Sequence, residues 1–233
     1  MTNKTFQAPA LRAFALAAAC SLGACASLPT ARVELPESLT TIAPLTLEGP
    51  IGVARGAFQF GELQGSFERQ ASRLELFGKL AQDRAVVSYT LQPDALRADC
   101  KLIGNVATLG LLQVPLKRAH YACTFSREGQ ALPQRLDLKS EDAAAGTREE
   151  RRGSFVAGAV TLEVQSLHRV QGSPLPLAAP VGYVMRQGGQ VVAVLDLNDV
   201  RPRLWQRAPD AAASAAVGQA ALALALLWDP AAR

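Results

Sequence analysis

Residues suited to catalysis are few in this chain, and their spacing matches none of the common catalytic arrangements. The two histidines, His120 and His168, are not paired with a nearby cysteine or carboxylate at the spacing typical of a zinc site. Ser154 and Ser173 each follow a glycine but lack the rest of the glycine frame that surrounds a nucleophilic serine on a sharp turn. We therefore expect no catalytic residue, no bound metal and no cofactor, and we expect that the protein is not an enzyme.

Two carboxylates near the C-terminal end of the chain are the most interesting acidic residues. Asp196 and Asp199 end a strongly apolar segment, where a site could form, but a turn at Asn198-Asp199 explains both residues without chemistry. An envelope hydrolase with an unrecognised site stays open as an alternative. It would need a deep pocket that holds Asp196, Asp199 or His168 with a strongly shifted pKa.

Charged residues of both signs are mixed along the chain, which has 24 basic and 20 acidic residues. Arg151 and Arg152 follow two glutamates, a mixture typical of a solvated strand or turn. The sequence has no block of like charge and no stripe of basic and aromatic residues, which are the features that nucleic-acid binding requires. We expect no nucleic-acid partner.

A cysteine near the N-terminus offers a different chemistry, the acylation of its thiol. A segment with Lys4 and Arg12 precedes an apolar run from Ala13 to Leu22, which is too short to cross a membrane. The run ends in Leu22-Gly23-Ala24-Cys25, and the whole order resembles the signal peptide and lipobox of bacterial lipoprotein precursors. The resemblance implies that the chain is cut before Cys25 and that the cysteine is acylated, with chains such as palmitate.

This resemblance divides the chain into three parts. A signal peptide covers 1–24, a lipid anchor and flexible tether rich in turn formers cover 25–44, and a folded domain covers 45–233. Because Ala26 and not aspartate follows the cysteine, the resemblance implies a membrane partner in the bacterial envelope, the outer membrane, with the domain facing the periplasm. An ordinary cleaved signal peptide with an incidental cysteine is the alternative.

Two further cysteines remain after Cys20 leaves with the signal peptide and Cys25 is acylated. Cys100 and Cys123 both lie in strand-like segments. An even pair of thiols in an oxidising compartment most simply forms a disulfide, here between neighbouring strands. A metal or redox pair would need more ligands or a closer spacing.

The region from Leu45 onward consists of short segments in which apolar and polar residues alternate, as they do in strands with one buried face. Such segments include 56–60, 65–69, 73–77, 135–139 and 160–164, and the apolar segments 182–185 and 191–197 continue the series of short strands. Gly188-Gly189 joins the last two as a hairpin. About a dozen such strands predict an all-β barrel or sandwich. The apolar segment 106–116 interrupts the series and is expected to be a loop or a short helix.

The final element differs in kind from the strands. Pro209 and Asp210 are typical of a helix start, and 211–228 is almost entirely apolar, so we expect a helix over 209–228. A helix that is hydrophobic on all sides must be buried in protein or in lipid. Nine of the eighteen residues from 211 to 228 are alanine, which gains little from hydrocarbon. We therefore favour a helix enclosed by protein over a membrane helix.

Several of these segments together are similar to the tubby-like and phospholipid-scramblase-like fold. The likeness lies in the hairpin that begins Tyr183-Val184-Met185, in the strand Arg203-Leu204-Trp205 and in Pro209-Asp210 followed by the apolar helix. It implies a closed antiparallel barrel of about twelve strands around a central hydrophobic C-terminal helix. It also implies a scaffold whose relatives often contact membrane phospholipids, although no phosphoinositide-binding lysine cluster matches here.

These features together predict a non-enzymatic bacterial envelope lipoprotein. It would be anchored through Cys25, and its tubby-like β-barrel domain would bind a phospholipid or another envelope component. One alternative is a structural or assembly lipoprotein that meets an envelope protein through an exposed surface. The other is the envelope hydrolase described above.

Overall fold

The computed structural model describes residues 31–49, 52–76, 80–109, 112–142 and 149–227. Side chains at 75–81, 105–117 and 142–148 are outside the description as well. The predicted signal peptide, the anchor residue Cys25 and the first part of the tether lie outside the described residues. So does the predicted C-terminal end of the helix at residue 228.

Within these residues, twelve antiparallel strands form a closed barrel. The strands are β1 (Leu45–Glu48), β2 (Arg55–Phe60), β3 (Leu63–Leu76), β4 (Leu80–Gln92), β5 (Leu96–Leu109), β6 (Leu112–Arg127), β7 (Gln130–Asp142), β8 (Glu149–Ala157), β9 (Val160–Leu167), β10 (Gly182–Gln187), β11 (Gln190–Asp196) and β12 (Arg203–Gln206). Each strand pairs with its neighbours in sequence, and β1 closes the barrel by pairing with β12. The structure thus confirms the all-β barrel of about twelve strands.

Consecutive antiparallel strands place their connections alternately at the two ends of the barrel. The β2–β3, β4–β5, β6–β7, β8–β9 and β10–β11 turns share one end, which we call the hairpin end. At the β10–β11 turn, Gly188 and Gly189 have φ of 56° and 80°, which glycine adopts without strain. The predicted hairpin is therefore confirmed.

The opposite end carries the β1–β2, β9–β10 and β11–β12 connections, and we call it the tether end. Ala31 and Arg32, the first residues that the structure describes, are bound there. The Asn198 side chain donates to the Ala31 carbonyl oxygen at 2.6 Å. The Gln171 backbone N–H donates to the Arg32 carbonyl oxygen at 2.7 Å. The chain therefore enters the folded domain at this end.

In the apolar segment 106–116, the described residues 106–109 and 112–116 belong to β5 and β6, so the expectation of a loop or short helix is wrong for them. Val106 pairs with Pro115, and Ala107 pairs with Val114. A continuous apolar run has no period that distinguishes a strand from a helix. β4 pairs with Val106 and Ala107 of β5, and β5 and β6 pair with each other here, so tertiary pairing decides the conformation.

The helix α1 (Ala211–Leu226) begins directly after Asp210, whose carboxylate accepts the Ala213 backbone N–H at 2.8 Å. Pro209 and Asp210 therefore precede the helix and cap it. Buried residues occupy all sides of α1; they are Ala213, Ala216, Val217, Gly218, Ala220, Ala221, Leu222, Ala223, Leu224 and Leu226. Within the part of the chain that the structure describes, no helix is long and apolar enough to span a membrane.

The barrel wall encloses α1 from opposite sides. Strands β3, β8, β9, β11 and β12 contact the helix. From β4 and β6, the hydroxyls of Tyr89 and Tyr121 donate to the carbonyl oxygens of Gln219, at 3.2 Å, and Ala223, at 2.7 Å. Burial raises the pKa of both tyrosines well above 10, so both remain protonated donors. The predicted central helix is confirmed.

The N-terminal segment covers part of the outer face of the barrel. Val33 and Leu39 are fully buried there, in a cluster with Val184, Val194 and Trp205. Val33 also forms a β-bridge with Val170 in the β9–β10 connection. Residues that the sequence assigns to the tether thus pack on strands β10 to β12.

Candidate functional site

The predicted disulfide lies inside the barrel. Cys100 on β5 stands directly opposite Cys123 on β6, and the two sulfurs are bonded. Both residues are buried in the core that also contains α1. The bond joins the neighbouring strands β5 and β6, so it covalently fixes one hairpin of the barrel wall.

A group of polar residues, all of them buried except the partly exposed Glu149, lies where the strands β7 to β10 approach the tether end. We call it the inner polar cluster, and its members are Ser140, Glu149, Arg151, Ser166, His168 and Tyr183. Of the residues that the sequence analysis considers, His168 is a candidate for the hydrolase alternative, and Arg151 is expected to be solvated. The sequence does not predict that these residues form a cluster.

Arg151 is the central cation of the inner polar cluster and is only 3% exposed. Its Nε and Nη2 atoms both lie 3.0 Å from Oε1 of Glu149, and its Nη1 donates to the Tyr183 hydroxyl at 3.4 Å. The Ser140 hydroxyl donates to the same carboxylate oxygen at 2.7 Å. The expectation of a solvated position is therefore wrong for Arg151, because inward-facing Ser140 pairs with it across the sheet. A buried charge of this kind requires its partner.

Ser166 and His168 form a hydrogen-bonded pair in the same cluster. The Leu177 carbonyl oxygen lies 3.0 Å from Nδ1 of His168, and a carbonyl can only accept, so Nδ1 carries the proton. Nε2 lies 2.9 Å from the Ser166 hydroxyl and accepts from it when the imidazole is neutral. A serine that donates to a neutral imidazole is the arrangement that activates nucleophiles in acyl transfer.

The surroundings of Ser166 favour a structural role for this pair. Ser166 and His168 are each 6% exposed. The Ser166 oxygen also accepts the Arg151 backbone N–H at 2.9 Å, and the Leu177 N–H donates to the His168 carbonyl oxygen at 2.7 Å. These bonds fasten the β9–β10 connection to the barrel wall. They satisfy buried polar atoms, which would otherwise carry a desolvation penalty.

Asp196 and Asp199 both form ion pairs with the same arginine side chain. Nη2 of Arg203 lies 3.1 Å from Asp196 and 3.4 Å from Asp199. Asp196 also accepts the Asn198 backbone N–H at 2.8 Å, and Asp199 accepts that of Val200 at 2.6 Å. Both carboxylates therefore stabilise the β11–β12 turn, as their position in the sequence predicts.

His120 lies on the outer surface of the barrel. Its Nε2 is 3.1 Å from the Asp137 carboxylate across β6 and β7, with both side chains nearly half exposed. Exposed pairs of this kind contribute little to stability. Among the described residues, no three His, Cys, Asp or Glu side chains gather in a group that could hold a metal ion.

Comparison with known proteins gives no relative from which a role could be transferred. No protein-family model, no curated protein and no solved structure matches this chain. The functional argument therefore depends on the residues and geometry of this chain.

Proposed function

We propose that the protein is a bacterial envelope lipoprotein, anchored in the outer membrane through acylated Cys25, with a β-barrel domain that faces the periplasm. The domain binds phospholipid or another envelope component and has no catalytic role. A barrel closed around an apolar C-terminal helix is the architecture that the tubby-like resemblance implies, and this supports the proposal.

The disulfide between Cys100 and Cys123 is the observation that carries the proposal. Disulfides form and persist in oxidising compartments such as the periplasm and are rare in the cytosol. The bond therefore supports export of the chain, which the signal peptide and lipobox at its N-terminus also predict. Cys100 and Cys123, the two cysteines of the folded domain, are therefore both part of this disulfide.

The filled interior of the barrel favours binding on its outside. Barrels that carry a ligand inside leave their lumen open, whereas α1 occupies this one and its apolar residues pack against the wall. The interior polar groups of Arg151, Ser166 and Tyr121 bond to other protein groups. A ligand would therefore meet the outer surface or the ends of the barrel.

The test of the anchor is palmitate labelling and membrane fractionation of the full chain and its Cys25→Ser variant. We expect the wild-type protein to be labelled and to sediment with membranes, and Cys25→Ser to lose the label. Cys20→Ser is the matched control, because this cysteine lies in the predicted signal peptide and should leave the label unchanged. Soluble, unlabelled wild-type protein would refute the proposal.

A further inference from the structure

Exposed apolar side chains are concentrated at one end of the barrel. Among the described residues, the large hydrophobic side chains that are exposed are Val53, Leu74, Leu175, Leu177, Val200 and Val86. The first five lie in connections of the tether end or, for Leu74, near the last residue of β3 at that end. We call these five residues the apolar rim. Only Val86 lies elsewhere, in the middle of β4.

The apolar rim follows a continuous arc of the barrel wall. Val53 lies in the β1–β2 connection, Val200 in β11–β12, and Leu175 and Leu177 in β9–β10. Because β3, β2, β1, β12, β11, β10 and β9 are successive neighbours in the sheet, these connections adjoin one another. Residues far apart in sequence thus lie in neighbouring connections at one end of the barrel, where Leu175 is 73% and Val200 is 69% exposed. Exposed apolar residues that gather at one place are a candidate interaction surface.

The predicted lipid anchor joins the domain at the same end. Ala31 is held by Asn198, two residues from Val200, and Arg32 is held by Gln171, four residues from Leu175. Ala31 is six positions after Cys25, and six residue steps span at most about 21 Å when fully extended. A Cys25 whose acyl chains are in a bilayer therefore keeps the tether end close to the lipid headgroups.

The charged residues at the tether end do not favour a highly charged binding partner over a membrane surface. Arg32, Arg55 and Arg169 are exposed there, together with Glu34, while Arg201 is paired with Glu48 at 2.8 Å. Charges of both signs give no strong field for a highly charged partner. Apolar side chains flanked by such groups suit the boundary between headgroups and acyl chains.

The β5–β6 hairpin ends on the same side of the barrel. Leu109, the last residue of β5, pairs with Leu112, the first residue of β6. The sequence has no charged residue between Lys101 and Lys117, a composition that is compatible with a position near lipid.

We infer that the apolar rim rests in the headgroup region of the bilayer that holds the Cys25 lipids. The barrel then stands on the membrane with its tether end, and its hairpin end points into the periplasm. This orientation rests on the proposed anchoring through Cys25. The orientation identifies which residues of the domain contact the membrane. The anchor alone does not identify them.

Tryptophan substitution in the acylated, full-length protein tests this orientation. Leu175→Trp and Val200→Trp are placed in vesicles of phosphatidylethanolamine and phosphatidylglycerol that contain phosphatidylcholine brominated near the headgroup end of its acyl chains. The wild-type signal, from Trp205 and Trp228, is subtracted. We expect the added fluorescence to shift to the blue and to be quenched by the brominated lipid. Val86→Trp is the matched control, since this exposed position on β4 should be neither shifted nor quenched.

The outcomes separate the orientation from the anchor. If labelled, vesicle-bound protein gives no quenching at Leu175→Trp and Val200→Trp, the orientation is wrong while the anchor stands. Equal quenching at Val86→Trp also overturns it. An envelope protein as the true occupant would leave both rim positions unquenched in pure lipid, which again overturns it. Failure of the protein to remain with the vesicles would instead refute the proposed function. Unchanged thermal melting of each variant shows that the fold is intact.

Discussion

Replacing Leu222 by alanine should lower the free energy of unfolding by about 2–5 kcal/mol, the range for a leucine truncated in a packed core. Leu222 lies on α1 with 0% of its surface exposed. The surrounding barrel is closed by hydrogen bonds on every strand, so it can collapse only partly onto the cavity. The decrease in the free energy of unfolding therefore has two parts: the lost transfer free energy of the leucine side chain and the cost of the cavity that remains.

The same substitution at Leu175 is the matched control for this prediction. Leu175 is 73% exposed, so Leu175→Ala should change the stability by less than about 0.5 kcal/mol. Urea unfolding of both variants, followed by circular dichroism, gives the two values. Equal effects at the two positions would contradict a helix that is enclosed by the barrel.

Removing the disulfide should destabilise the protein by about 3 kcal/mol in the chain-entropy model, because the bond closes a loop between residues separated by 23 positions. For a domain of this size, that loss lowers the melting temperature by about 6–12 °C. The Cys100→Ala/Cys123→Ala double variant and calorimetry provide the measurement.

Reduced wild-type protein is the control for the disulfide variant. It keeps both sulfur atoms in the core, where Cys100 and Cys123 are buried, so it isolates the lost cross-link from the lost side-chain volume. Reduction alone should reproduce most of the shift. A wild-type melting temperature that reductant leaves unchanged would contradict a stabilising bond between β5 and β6.

The alternation of residues is what made most of the fold predictable. In β9, the buried residues Val160, Leu162 and Val164 alternate with exposed ones, and this period of two is visible in the sequence. The helix was predictable for the opposite reason, since α1 is apolar on every side and has to be enclosed.

Segments in which apolar and polar residues do not alternate regularly could not be predicted in the same way. The run 106–116 is mostly apolar, and its described residues, 106–109 and 112–116, adopt a strand conformation through pairing with their neighbours. Val33 and Leu39 lie in a proline-rich stretch typical of a tether, yet they are buried against β10 to β12. Such contacts between distant parts of a chain leave no local signal.

The inner polar cluster was missed although a signal for it exists. Ser166 continues the inward register of Val160, Leu162 and Val164, so its hydroxyl had to enter the barrel. Arg151 shares the inward register of Phe155 on β8, and its neighbouring charges concealed this. The geometry of the Ser166–His168 pair additionally depends on the Leu177 carbonyl oxygen, which only the folded β9–β10 connection supplies.

The apolar rim could not be predicted from sequence at all. Val53, Leu175 and Val200 are single apolar residues in three separate connections, and isolated exposed apolar residues are ordinary. Only the order of the strands places the three connections side by side, next to the point where Ala31 enters the domain.

Amide hydrogen exchange along α1 tests most directly whether the helix fills the barrel and so directs binding to its outside. The backbone N–H groups of 217–224 should exchange only when the whole domain unfolds, with a protection free energy equal to that from urea unfolding. The N–H groups of Leu175 and Ala178, which are exposed in the β9–β10 connection, should exchange much faster. Exchange in α1 as fast as in that connection would mean that the helix is not held inside the barrel, and the account would be wrong.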